Sequence, residues 1–245
     1  MYYTNKDTFV LSASGCMGTD RDSLESILAG NEEGAKGCCL SVDMTADGIA
    51  VLSADGFSNA ADGTRMNISD YSYAELHQAC PQLVPAGQAI ELAKTCRAKI
   101  AITVRNQTLL PQLRMTLRHA ECLDETIFVG LGLVEAARLA VANPELHIMG
   151  ELPAVPDNIE ALVRAAQTTG LFGLRAVVTD WTPALLRACR RAGLFTMSLQ
   201  TEHMDALTYL IRGGVNFIET ARPDLTAMLL PEGAAEPQQI PLMPY

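Results

Sequence analysis

Short apolar runs alternate along this chain with segments whose apolar residues recur at helical spacing. The first run, Phe9–Ser12, is strand-length. Residues 23–33 follow as a helix, with Leu24, Ile27 and Leu28 on one stripe and Asp22 or Ser23 as its cap. Cys38–Met44 alternates and is β-prone. Ala46-Asp47-Gly48 is a turn signal and Ile49–Ser53 is a second apolar run, so this stretch reads as strand, turn, strand. Residues 56–85 keep no period. Asp62-Gly63 marks a turn inside them, and a short helix starts at Ser72–Leu76.

From Gln88 onward the pattern becomes regular. Helices are predicted over 88–98, 110–122, 134–142, 158–169, 183–192 and 204–213. Between them lie strands over 100–104, 126–129, 146–149, 174–179, 194–199 and 216–219, and a last helix starts near Pro223. Asp157, Thr182 and Asp205 stand as caps or first-turn acids, and Gly170, Gly193 and Gly213 as helix stops. Repeated strand–helix units imply a parallel sheet with right-handed crossovers. Eight such strands close into a (β/α)8 TIM barrel of the α/β class, the second strand extended by the antiparallel return. An open doubly wound sheet is the alternative, disfavoured because no Gly-rich phosphate loop follows the first strand. The expected organisation is one domain over 1–245, with a short insertion at about 56–86 and a strap-like tail at about 232–245.

Composition agrees with one barrel: 245 residues, 49% of them hydrophobic, supply a sizeable core. The formal charge of −10 argues against nucleic acid or an anionic membrane as partner. It also weakens long-range steering of an anionic substrate. No apolar run is long enough to span a membrane, and Met1–Lys6 lacks the pattern of a secretory leader. The seven cysteines are odd in number and show no C-x-x-C spacing, so reduced thiols in a cytoplasmic protein are expected.

An ordered series of landmarks then emerges. Gly15, Gly34-Ala35, Val42, Thr45, Asp47-Gly48, Asp55, Pro81-Gln82-Leu83, Gly214-Val215-Asn216, Ile218, Thr220 and Pro223 occur in the order and spacing of one family. In them the chain resembles the glycerophosphodiester phosphodiesterases, from about Phe9 to about Leu225. The resemblance implies a TIM barrel and a phosphoric diester hydrolase of lipid metabolism. Its active site would lie at the C-terminal ends of the strands. Two histidines would act as general acid and base, and three carboxylates would hold a divalent metal such as Mg²⁺ or Ca²⁺.

The chemical landmarks of that family are replaced. Its opening His-Arg aligns with Ala13-Ser14, and the Glu of its next loop with Arg21. Its second-strand Glu and Asp align with Cys39 and Ser41, and its next His with Ala54. Its third-strand Glu-x-Lys aligns with Thr103-Val104-Arg105, and its late Asp with Ala221. Alanine transfers no proton, and serine and threonine are neutral, poor ligands for a hard divalent ion. Cys39 offers a lone soft ligand. No catalytic residue and no metal or other cofactor is therefore expected. The expected function is that of a degenerate barrel with a ligand-binding or regulatory role, its partner a small or phosphate-containing molecule.

The alternative is an active hydrolase with a rebuilt site. Acids at predicted strand ends supply the candidates: Asp43, Asp55, Glu151 and Asp180, with Glu219 beside them. Asp43, Glu151 and Asp180 would form a relocated metal site, and Arg105 would meet an anion. The ordinary roles of such acids are caps and turn contacts. His77, His119, His147 and His203 fall on helices, a helix start or a strand wall. Trp181 lines the pocket mouth or packs a loop.

Overall fold

The computed structural model describes residues 7–105, 107–154 and 157–230. The chain opens with β1 (Phe9–Ser12), α1 (Leu24–Glu32) and β2 (Gly37–Met44), and β3 (Ala50–Leu52) returns antiparallel along the end of β2. Ser23 rather than Asp22 caps α1, its side chain accepting from the Ser26 amide at 3.1 Å. The turn before β3 is held by Asp47, whose carboxylate accepts from Thr45 Oγ1 and from the Tyr73 amide.

The insertion is more ordered than its sequence suggests. β4 (Phe57–Asn59) and β5 (Arg65–Asn67) pair as a small hairpin around Asp62-Gly63. α2 (Tyr73–Ala79) then starts with a reciprocal cap between Ser72 and Glu75. Ile68, Leu76, Cys80 and Leu83 pack with Val51 of β3 into a satellite core.

The regular part runs α3 (Ala86–Thr95), β6 (Lys99–Val104), α4 (Leu110–His119), β7 (Thr126–Gly132), α5 (Leu133–Ala142) and β8 (His147–Glu151). It continues with α6 (Ile159–Thr168), β9 (Gly173–Ala176), α7 (Pro183–Arg191), β10 (Phe195–Ser198), α8 (Met204–Gly213), β11 (Phe217–Thr220) and α9 (Pro223–Ala227). Asn158, not Asp157, caps α6, and Thr182 caps α7. The helix expected to reach residue 122 ends at His119, and α3 begins two residues before its expected start. The strand expected over 174–179 stops at Ala176, because Val178–Asp180 close into a 3-10 turn. The tail expected at 232–245 lies outside the described residues.

Among the described residues, β1, β2 and β6 to β11 are eight parallel strands, each paired to its neighbour. β1 pairs with both β11 and β2, which closes the sheet into a barrel and rules out the open doubly wound arrangement. Strand alternation then separates two cores. Leu40, Ile100, Phe128, Ile148, Leu174 and Ile218 face outward to the helices. Phe9, Leu11, Ala101, Val129, Met149 and Phe217 face the interior. No described helix is long and apolar enough to cross a membrane.

Candidate functional site

The inward positions change character along the barrel axis. The N-terminal half is aromatic: Phe9 stacks on Phe217 at 5.7 Å, and Phe172 on Phe195 at 4.4 Å. His147 stands against Phe172 at 4.5 Å, its basicity lowered by burial. Lys99 is buried there with Nζ 4.7 Å from the Phe9 ring, and burial holds its pKa down to about 8.

Toward the C-terminal ends the lining turns polar and charged. Arg175 shares strand parity with Gly173, opposite the outward Leu174 and Ala176, so its side chain enters the barrel. One terminal nitrogen donates to Glu151 of β8, and the other donates to Glu219 of β11 at 2.7 Å. β11 is not adjacent to β9, so the guanidinium crosses inside β10 to reach it. Burial alone would lower the basicity of Arg175, but Glu219 and Glu151 outweigh it and hold the charge in place. Nε of Arg175 is buried without a partner among the described residues. Cys39 adjoins this group: burial pushes its thiol pKa well up, Glu219 adds to the rise and Arg175 opposes it.

The positions that the sequence resemblance sets against the phosphodiesterase residues lie on the neighbouring strands. Ser41 of β2 is in register with Thr103 of β6, and Cys39 with Ala101. Ala13 continues β1, its amide donating to the Thr220 carbonyl at 2.9 Å. Ser14 Oγ donates to Asp22 Oδ1 at 3.1 Å and accepts from the Asp22 amide at 2.7 Å. The Ala54 amide donates to Asp22 Oδ2 at 2.8 Å. One carboxylate thus ties together the loops that hold Ser14 and Ala54. Ala13, Ser14, Asp22 and Cys39 line a recess of about 10 Å³, room for about one water.

The proposed relocated acids do not converge. Asp43 Oδ1 accepts from the Met44 amide at 2.8 Å, and its other oxygen lies toward the Gly56 turn. Asp55 is exposed and pairs with Arg65 of the insertion hairpin at 2.8 Å. Asp180 sits in the 3-10 turn after β9, and Glu151 is engaged by Arg175. Among the described residues no group of three His, Cys, Asp or Glu side chains is arranged to hold a metal ion, so Asp43, Glu151 and Asp180 do not form one. Arg105 is exposed just beyond β6. Trp181 is fully buried under the helix layer, its carbonyl accepting from Tyr209 Oη at 2.6 Å, and so packs the loop rather than the mouth. Arg175 and Asp22 are the residues the sequence reading missed. The signal for Arg175 was a lone cation at an inward position of an otherwise apolar strand.

No family model matches the sequence, and no curated protein matches it. Solved structures do match the fold. A glycerophosphodiester phosphodiesterase from Thermotoga maritima superposes with a TM-score of 0.78 at 17% identity, over 94% of this chain and 100% of that one. One from Agrobacterium tumefaciens gives 0.75 at 17% identity, over 90% and 99%. An Oleispira antarctica phosphodiesterase, in complex with the product sn-glycerol-3-phosphate, gives 0.76 at 16% identity, over 90% and 96%. The architecture is therefore that of the glycerophosphodiester phosphodiesterases.

Proposed function

We propose that this barrel has lost phosphodiesterase chemistry and serves as a ligand-binding or regulatory protein. One observation carries the reading. Each aligned position for proton transfer or metal ligation holds a side chain that cannot do that work, while the barrel around it is intact. Ala13 and Ala54 have no titratable group. Ser41 and Thr103 are neutral, and burial holds the Cys39 thiol protonated. Each acid–base group is worth roughly 10²- to 10⁴-fold in rate, so losing both removes nearly all turnover. A divalent metal does not fit this donor set, and no catalytic step is routed through one.

The glycerol 3-phosphate in the Oleispira protein supports a phosphate-containing ligand as the first to try. Arg105 is the exposed cation nearest in sequence to the mouth. The seven free thiols support a reducing compartment such as the cytoplasm. The test is calorimetry with Mg²⁺, Ca²⁺ and Mn²⁺, alone and with glycerol 3-phosphate, alongside an assay of glycerophosphodiester cleavage. Ligand heat without metal-dependent cleavage is the expected result. Metal-dependent release of glycerol 3-phosphate at an enzyme-like rate would overturn the reading.

A further inference from the structure

The outer wall of the barrel carries a charge pattern at odds with the rest of the chain. Acids outnumber bases overall, 28 to 18. α7 reverses that balance: Arg187, Arg190 and Arg191 stand on it and no acid does. Arg190 donates to the Gly213 and Gly214 carbonyls at the end of α8. Arg191 pairs with Glu160 of α6 at 2.8 Å, both side chains exposed. Arg187 lies one turn before Arg191 on the same face of α7, and Arg164 lies one turn after Glu160 on α6. Both are exposed, and neither has a carboxylate partner among the described residues.

The seam between these helices is also hollow. Gln167 Nε2 ties α6 to the end of α7 by donating to the Ala192 carbonyl at 2.8 Å. Beside that tie a groove of about 190 Å³ opens, with Arg164 on one side and Ala188 and Arg191 on the other. Glu160 is the one acid lining it among the described residues. Arg164 also borders a second hollow of about 520 Å³ on the neighbouring flank of α6, beside Ala161 and Ala165.

We propose that this surface docks an acidic peptide segment of a partner protein. A guanidinium holds a carboxylate through two parallel hydrogen bonds, and arginine clusters are common receptors for acidic motifs. Two hollows that meet at Arg164 suit an extended segment better than a single ion. Ala161 and Ala165 are exposed and end at Cβ, so a peptide backbone can come close to α6 there. Carboxylates placed on Arg164 and Arg187 supply the counter-charge that Glu160, engaged by Arg191, does not. A long polyanion is disfavoured, because beyond this patch it would lie on the acidic remainder of the surface. This wall faces away from the barrel interior, so docking here is independent of any ligand held inside.

The test is fluorescence anisotropy of labelled hexaglutamate titrated with the protein at low salt. Wild type is expected to bind, and to bind more weakly as salt is added. Arg164→Gln/Arg187→Gln should bind about tenfold more weakly than wild type. Lys94→Gln/Arg118→Gln removes the same charge from exposed positions on α3 and α4, and should bind as wild type does. Labelled hexaglutamine should not bind. Equal weakening in the two double variants would mean that net charge alone is sensed, and overturns the proposal. Absence of hexaglutamate binding by wild type overturns it as well. Competition sorts the other occupants. If inorganic phosphate, a single-stranded DNA oligonucleotide or phosphatidylserine vesicles displace the label at a lower concentration of charge than unlabelled hexaglutamate does, the surface takes phosphate groups and an acidic peptide is not its partner.

Discussion

Asp22 and Ala54, 32 residues apart, are joined by a 2.8 Å hydrogen bond from the Ala54 amide to the Asp22 carboxylate. Asp22 adopts a left-handed backbone, φ 58°, which Asp tolerates better than most residues. The same carboxylate takes the Ser14 hydroxyl, so two loops of the C-terminal face hang from one side chain.

Asp22→Ala removes both hydrogen bonds and leaves a less tolerant residue in that backbone conformation. A loss of about 2–4 kcal/mol is expected from urea unfolding. Asp22→Asn keeps an acceptor for the Ala54 amide and should lose about 1 kcal/mol. Equal losses in the two variants would show that the tether is not what holds these loops.

The two carboxylates on Arg175 should respond unequally. The Glu219 side chain is 12% exposed and that of Glu151 is 32% exposed. Glu219→Gln breaks the more buried pair and is expected to cost about 3 kcal/mol. Glu151→Gln, screened by solvent at the mouth, should cost about 1 kcal/mol. The ranking is read from chemical denaturation at one pH, and reversal of the order would contradict it.

Lys99 predicts a pH dependence with a definite sign. Its folded pKa of about 8 lies below the ordinary 10.5. Between those values the unfolded chain binds a proton that the folded chain does not, so stability rises with pH there. The buried charge weighs against folding below that window. Lys99→Met lacks this contribution. The stability of wild type minus variant should therefore climb from pH 8 to 10.5, by at most about 1.4 kcal/mol per pH unit. A difference that stays constant across the window refutes it.

Thiol accessibility follows from burial. Burial pushes Cys38 and Cys189 up to about 12 and raises Cys16 and Cys122 as well. Cys80 is fully buried. Native protein should therefore label quickly with a thiol reagent at Cys96, the half-buried thiol at the end of α3, and slowly elsewhere, including at the half-buried Cys39, whose thiol burial and Glu219 keep protonated. All seven should react in denaturant. Rapid native labelling of Cys38 would show an interior more open than the packing implies.

The barrel was legible because its determinants are local. Apolar runs, helix stripes and stops such as Gly170 and Gly193 repeat the same unit. The turn residues Asp47-Gly48 declare the return strand. The hairpin of the insertion escaped because Phe57–Asn59 and Arg65–Asn67 are three residues each, with none buried, too short and too polar for a strand period to register. β9 is shorter than its sequence suggests because Val177 and Val178, though β-prone, run into the 3-10 turn Val178–Asp180, closed by the Trp181 amide on the Val178 carbonyl. The charged cluster was the least legible part. Glu151 and Glu219 lie 24 and 44 residues from Arg175, and only closure of the barrel brings them to it. Asp22 read equally well as a helix cap. Ser23 took that role, which left Asp22 to bridge the loops.

The clamp on Arg175 also limits what the positions around it can become. An acid placed at Cys39 would add a third negative charge to a buried group that holds one cation. A carboxylate at position 39 is therefore expected to destabilise the barrel while Arg175 remains. Losing Arg175 first strands two carboxylates instead. Charge at position 39 and charge at position 175 are therefore coupled, and neither changes without cost unless the other changes with it.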